Sequence, residues 1–267
     1  MLHVIDAGAA GNLHMKNICV LGSRSPVAQE SVAVLREKYG HVDPESADVI
    51  VALGGDGFML QTLHAFMDLT VPVYGMNRGS VGFLMNDYVE DDLLEKLEAA
   101  RIATINPLRM IAIDAMERKH TGLAINEVAI FRQTHQAAKI RIAIDGEVLM
   151  DELICDGIMA ATPAGSTAYN LSANGPILPI RSKLMALTPI SAFRPRRWRG
   201  ALLPWDTHLK FEVIEQMKRP ISATADHMEV RDVQSVEIEV ASEIVLRLLY
   251  NPGHGLEERL LREQFTV

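Results

Sequence analysis

Cysteine is nearly absent. The chain has two in 267 residues, Cys19 and Cys155, far apart and each among apolar neighbours. That excludes a disulfide framework, and with no CxxC, HExxH or Cys/His cluster a structural zinc site has no ligand set. The nine histidines show no metal-ligand spacing. No apolar run reaches the roughly 20 residues that cross a bilayer, and no secretory signal is visible, so no membrane partner is expected and the cytoplasm is the expected location. Positive charge is in deficit. Lys+Arg is 26 against 34 Asp+Glu, a formal net charge of −8, which argues against a general nucleic-acid partner. Walker A (GxxxxGK[ST]) and GxGxxG are both missing, so neither a P-loop nor a hydride-transfer dinucleotide fingerprint is present. No nucleophile elbow, internal repeat or low-complexity segment is found.

What the chain does have is Val49–Leu53 running into Gly54-Gly55-Asp56-Gly57-Phe58. The apolar β-branched run reads as a strand buried on both faces. The glycines read as a turn at its carboxyl end, where open α/β sheets bind ligands and where a missing side chain lets a ligand approach the main chain. Asp56 is then a carboxylate beside amides able to hold phosphate. A tight strand-to-helix turn with a solvated Asp is the alternative.

Around this stretch the chain alternates strand and helix. Asn17–Leu21 suits a first strand. Ser25-Pro26 offers an N-cap with Pro at the first helical position, and Ala28, Val32, Leu35 and Tyr39 lie on one face before Gly40. Met59, Leu60, Leu63 and Phe66 give a second helix, Val71–Gly75 a third strand, and Asp87 caps a helix carrying Val89, Leu93, Leu94 and Leu97. This is a doubly wound α/β pattern, assigned to a domain at 15–104. Residues 1–14 lack periodicity and read as a leader outside the fold. From Asn106-Pro107 short strands take over: 108–114, 125–131, 139–144, 147–154, 158–161, 208–215, 221–225, 235–240 and 244–249. Asp145-Gly146 marks a hairpin. The region 105–249 reads as a β-sandwich-like domain, and 250–267 as a helix-like tail packing back on the first domain. An apolar strand such as 244–249 needs its edge covered, which subunit pairing would do.

A second motif runs from Asp156 through Thr162-Pro163-Ala164-Gly165-Ser166-Thr167-Ala168-Tyr169 to Ser172. Small and hydroxylated residues lead from a strand into an apparent helix, a natural anion site or simply an N-cap. Asn126-Glu127 is a polar pair at a strand start. Asn170-Leu171-Ser172 also matches a glycosylation sequon, by coincidence within the motif. Arg194, Arg196, Arg197 and Arg199 crowd six residues, open to three readings: a solvated loop, a subunit or phosphate contact, or a nucleic-acid patch.

GGDG at 54–57, Asn-Glu at 126–127 and DGxxxxTPxGSTAYxxS at 156–172, in this order, resemble the NAD kinase family over the chain from about residue 17. GGDG alone is shared with lipid kinases and phosphofructokinases. The resemblance implies an α/β plus all-β fold and transfer of phosphate from ATP, with Mg²⁺, to the 2′-hydroxyl of the adenosine ribose of NAD, giving NADP. It implies that Asp56 is the catalytic carboxylate and that Gly54, Gly55, Gly57 and Phe58 form the phosphate turn. Asn126, Glu127, Asp156, Ala164, Thr167, Ala168, Tyr169, Ser172 and Asp226 would hold the nucleotide. No protein metal ligand is assigned. Asp226 sits where many family members have Asp-Gly, and His227 departs from that glycine. The resemblance also implies a homo-oligomer, dimer or tetramer. Two other functions fit parts of the pattern: a GGDG kinase for a lipid or sugar hydroxyl, and a non-catalytic dinucleotide-binding sensor.

Overall fold

The computed structural model describes residues 15–79, 82–252 and 265. The chain forms two units: one from the chain up to Ile105 together with the segment from Ile244 on, the other from Asn106–Glu243.

The first unit begins β1 (Ile18–Gly22), α1 (Pro26–Tyr39), β2 (Val49–Gly54), α2 (Asp56–Ala65), β3 (Val73–Asn77), α3 (Leu93–Ala99) and β4 (Arg101–Ile105). The first helix starts as its sequence demands. Ser25 accepts the Ala28 N–H, Pro26 opens the helix, and Gly40 closes it at φ +79. Every residue of β2 is buried, as a central parallel strand requires. The third helix begins later than Asp87. Asp92 takes a left-handed conformation and caps it at Leu93, so Val89 lies before the helix and Leu94 is exposed. Val20, Leu35, Val51, Leu53, Tyr74, Leu93 and Leu97 form the core.

The second unit holds β5 (Leu108–Asp114), β6 (Lys119–Ala124), β7 (Glu127–Arg132), β8 (Ala138–Ile144), β9 (Glu147–Cys155) and β10 (Gly157–Ala161). A four-residue α4 (Tyr169–Ser172) follows. Then come β11 (Leu184–Ile190), β12 (Ala201–Pro204), β13 (Leu209–Val213), β14 (Ile221–Ala225), β15 (Met228–Val230) and β16 (Val233–Val240). They make two six-stranded antiparallel sheets, β12-β11-β10-β7-β14-β15 and β6-β5-β16-β13-β8-β9, over one apolar core. Asp145 and Gly146, both at positive φ, turn the β8–β9 hairpin.

The run 244–249 does not belong to this unit. Its strand, β17 (Leu246–Tyr250), enters the first sheet between β3 and β4, in the order β1-β2-β3-β17-β4. It runs parallel to β3 and antiparallel to β4. The physical reason is burial. Leu246, Leu248, Leu249 and Tyr250 need cover on two faces, which an interior position in the α/β sheet supplies. The tail expected at 250–267 lies outside the described residues beyond Pro252, apart from position 265. Among the described residues no helix is long and apolar enough to cross a membrane.

Candidate active site

In the first unit the GGDG turn lies at the carboxyl end of β2 and opens α2. None of its glycines takes the left-handed conformation. Gly55 caps the helix with extended angles, so strand passes straight into helix. Gly54 is required by packing, because a Cβ there would sit 2.8 Å from that of Phe58. A Cβ at Gly55 or Gly57 would meet nothing within 4 Å. Neither of these two glycines is required by packing. Phe58 is half-buried, with its backbone N–H on the Gly55 carbonyl.

Asp56 is gripped by a segment 27 residues on. The N–H groups of Phe83 and Leu84 donate to its Oδ2 and Oδ1 at 2.5 and 2.8 Å. A Cβ at Gly82 would collide with Asp56 Oδ1. Asn86 anchors the base of that segment, donating through its side chain to the carbonyls of Gly75 and Leu249. Arg78 donates from N–H to the Gly54 carbonyl and from Nε to Ser31 Oγ, with its guanidinium 3.4 Å over the Tyr88 ring. Sequence reasoning singled out Asp56 but not this support, which comes from Gly82-Phe83-Leu84.

In the second unit Asn126 precedes β7 and Glu127 begins it. Asp226, in the turn after β14, accepts from the N–H groups of Ile125, Asn126 and Glu127 at 2.7, 3.0 and 3.2 Å. Thr162 holds the same stretch from its carbonyl side. Its Oγ1 donates to Ile125 O at 2.7 Å and its N–H to Asn126 O at 2.9 Å. Gly165 passes so close that a Cβ would collide with the Asn126 carbonyl. Glu127 Oε2 is buried with no hydrogen-bond partner. Burial, then the charge of Asp226, pushes its carboxyl up to about 7.

The stretch after β10 is not the helix N-terminus expected for an anion. Gly165–Thr167 is one 3₁₀ turn and α4 has four residues. The N–H groups of Gly165, Ser166 and Ala168 already donate to Thr162 Oγ1, Pro163 O and Gly165 O. Ala164 is buried, while Thr167 and Ala168 are half-buried. Tyr169 is exposed, its ring 5.9 Å from that of Phe131. Tyr169 and Ser172 line a cavity of about 280 Å³ together with Asn174, Ser191, Trp198 and Arg199. The basic loop thus meets the second motif, a contact that sequence alone left open. Asp156 is ion-paired with Arg132 Nε at 2.6 Å. Asn170 of the sequon is fully buried, accepting from Thr188 Oγ1 and donating to the carbonyls of Ser166 and Pro176, so it is no surface acceptor.

Both cysteines are buried, and burial pushes Cys19 up to about 11 and Cys155 up to about 12, so neither is a ready nucleophile. Among the described residues no three His, Cys, Asp or Glu side chains cluster as a metal cage. One carboxylate facing phosphate oxygens is the donor set in which Mg²⁺ is commonly held, and Asp56 fits that mode.

The chain thus has an α/β unit carrying a carboxylate in a glycine turn and a twin-sheet unit carrying a clamped Asn-Glu pair. The structure resembles yeast NADH kinase complexed with NADH (TM-score 0.78, 20% identity, covering 94% of this chain and 87% of that one). It also resembles an NAD kinase from Archaeoglobus fulgidus in complex with ATP (TM-score 0.74, 23% identity, covering 94% and 99%). In sequence, the ATP-NAD kinase N-terminal domain matches residues 2–100 and the ATP-NAD kinase C-terminal domain residues 125–243. The NAD kinase of Caulobacter vibrioides is 60% identical over 245 residues, 92% of this chain and 94% of that protein. That of Hyphomonas neptunium is 56% identical over 249 residues, 93% and 98%. This chain belongs to the ATP-NAD kinase family.

Proposed function

We propose that this enzyme, an NAD kinase, transfers the γ-phosphoryl group of ATP to the 2′-hydroxyl of the adenosine ribose of NAD, with Asp56 as its general base. The observation that carries the assignment is the Asp56 carboxylate, fixed by two amides at the carboxyl end of β2. Each oxygen accepts one N–H and keeps acceptor capacity for a hydroxyl. A ribose hydroxyl is a poor nucleophile. A carboxylate within hydrogen-bond reach orients it and takes its proton as the new O–P bond forms and the bond to ADP breaks. The rest is positioning and neutralisation of charge. Mg²⁺ would supply that neutralisation when bound, and an Asp56 that held the metal would do so in place of taking the proton. The glycine turn at Gly55 and Gly57 is assigned to the phosphates.

Asn126, Glu127 and Asp226 form the dinucleotide-facing cluster of the second unit. Tyr169 and Ser172 offer an aromatic face and a hydroxyl to a base or ribose. Ala164, Thr167, Ala168 and Asp156 belong to the same motif and are assigned to the nucleotide with it. The activity is cytoplasmic in this reading, and the protein is a homo-oligomer. Exposed Val148 and Leu149 on edge strand β9 and exposed Leu202 on edge strand β12 support assembly. The test is turnover: NADP formation from NAD and ATP, coupled to an NADP-specific dehydrogenase. No product, or product with a lipid or sugar acceptor only, refutes the reading.

A further inference from the structure

We propose that Asp226 is a positioning residue that sets the Asn126–Glu127 pair for the dinucleotide, and that Glu127 meets the dinucleotide as a neutral carboxylic acid. The proposal rests on the reading that this cluster faces NAD.

The geometry comes first. Asp226 spends its carboxylate on three consecutive backbone N–H groups, Oδ2 on Ile125 and Oδ1 on Asn126 and Glu127. Its own N–H donates to the Glu127 carbonyl at 3.2 Å. Thr162 takes the carbonyls of Ile125 and Asn126 from the other side. The backbone that carries the pair is therefore held on both edges by groups from two other segments. Asp226 does this from φ 48, a left-handed conformation that aspartate tolerates better than most residues. Glycine would relieve that strain but would bring no carboxylate. A residue placed this way acts through the pair it orients.

The electrostatics follow from the same contacts. Glu127 Oε2 is buried and makes no hydrogen bond within the protein. Opposite Glu127, β10 presents Ala161, and β14 presents Ala225 beside it. The turn after β14 brings Asp226 and then His227, and Asp226 is the charged group that acts on Glu127. A buried carboxyl beside a second carboxylate keeps its proton, here up to about pH 7. A ligand that covers Oε2 strips away more water and strengthens that preference. The neutral acid offers one O–H donor and an acceptor to a ribose or amide group, and it sets no charge against the diphosphate.

Binding should therefore take up a proton as the pH rises above about 7. The experiment is calorimetric titration of NAD into the whole protein at pH 6 to 9, in two buffers of different ionisation enthalpy. Wild type, Glu127→Gln and Asp226→Asn are compared. The wild-type Kd should be level below about pH 7 and weaken towards roughly tenfold per pH unit above it, with proton uptake. Glu127→Gln should bind near the low-pH wild-type affinity at every pH, with no uptake. Asp226→Asn should lose at least about tenfold in affinity at pH 6, where the charge of Glu127 is not at issue. A level wild-type profile, pH dependence retained in Glu127→Gln, or Asp226→Asn binding like wild type would each overturn the proposal. If Asp226→Asn does not fold, the Glu127→Gln profile decides alone. Absence of both NAD binding and turnover in wild type sinks the kinase reading itself, whereas turnover with a level profile sinks only this inference.

Discussion

Asp56→Asn tests the chemistry and the architecture at once, because the carboxylate has two jobs. An ionised carboxylate presents an acceptor to each of the Phe83 and Leu84 N–H groups. An amide presents one acceptor oxygen and one NH₂. Whichever way it turns, one backbone N–H faces a donor. Leaving a partly buried donor unmet costs about 1–3 kcal/mol. At about 2–4 °C per kcal/mol for a chain of this size, melting should fall by roughly 2–12 °C. Asparagine is thus a less innocent replacement than its size suggests. The chemical loss is separate and larger: a missing general base should lower kcat by roughly 10²–10⁴-fold. That is about 3–5.5 kcal/mol of barrier, beyond what a loosened loop explains. The assay is coupled NADP formation across a Mg²⁺ titration at a temperature well below the variant's melting point, with NAD binding measured in parallel. Equal loss in kcat and kcat/KM would place the effect in the transition state. A defect erased by raising Mg²⁺ would make Asp56 a metal holder. If kcat stays within a few-fold of wild type at ordinary Mg²⁺, the general-base assignment is wrong and the GGDG aspartate is structural.

Gly165→Ala would drive a Cβ into the Asn126 carbonyl, so it should destabilise by about 1–3 kcal/mol and weaken NAD binding; unchanged melting and affinity would show that the backbone relaxes freely there. Glu127 holds its proton to about pH 7 when folded, against 4.5 ordinarily, so wild-type stability should fall as pH rises from 4.5 to 7 and level off above. The difference of about 2.5 pH units corresponds to roughly 3 kcal/mol at most, and Glu127→Gln should abolish that slope in urea unfolding at pH 5 and 8. Light scattering at micromolar concentration should give a dimer or tetramer mass, and Leu149→Glu on edge strand β9 should lower it; a monomeric wild type would remove the assembly reading. Arg199→Ala should weaken NAD binding because Arg199 lines the Tyr169 cavity, while Arg196→Ala with Arg197→Ala, on exposed side chains, should change it by less than about 0.5 kcal/mol.

Much of the fold could be read from local rules. Ser25-Pro26 and Gly40 bounded α1, and Asp145-Gly146 turned β8 into β9. What failed was long-range. Nothing in Ile244–Tyr250 tells which sheet will take it. A continuous apolar run suits any interior strand, and only the open place between β3 and β4 decides. Strand β6 (KHTGLA) lacks a clean pattern because Gly122 leaves room for the Met228 side chain. Strand β12 is short and half exposed, so neither burial nor length advertised it. Asp87 was a plausible cap, but Asp92 could adopt the left-handed angle that starts the helix nearer its core leucines.

The site divides along the same line. Motifs single out candidate side chains, here Asp56, Asn126, Glu127, Tyr169 and Ser172. They do not name what holds those side chains still. Asp56 is fixed by two amides from 83–84, and the Asn-Glu pair by Asp226 and Thr162 from about 100 and 36 residues away. In each unit the partners of a polar side chain are backbone groups, which carry no residue identity for a sequence to display. Carboxylate count then separates the roles. Asp226 receives three N–H groups from the backbone it grips, whereas Asp56 receives two. A substitution that spares these amides but removes the acceptor should therefore cost catalysis at Asp56 and binding at Asp226.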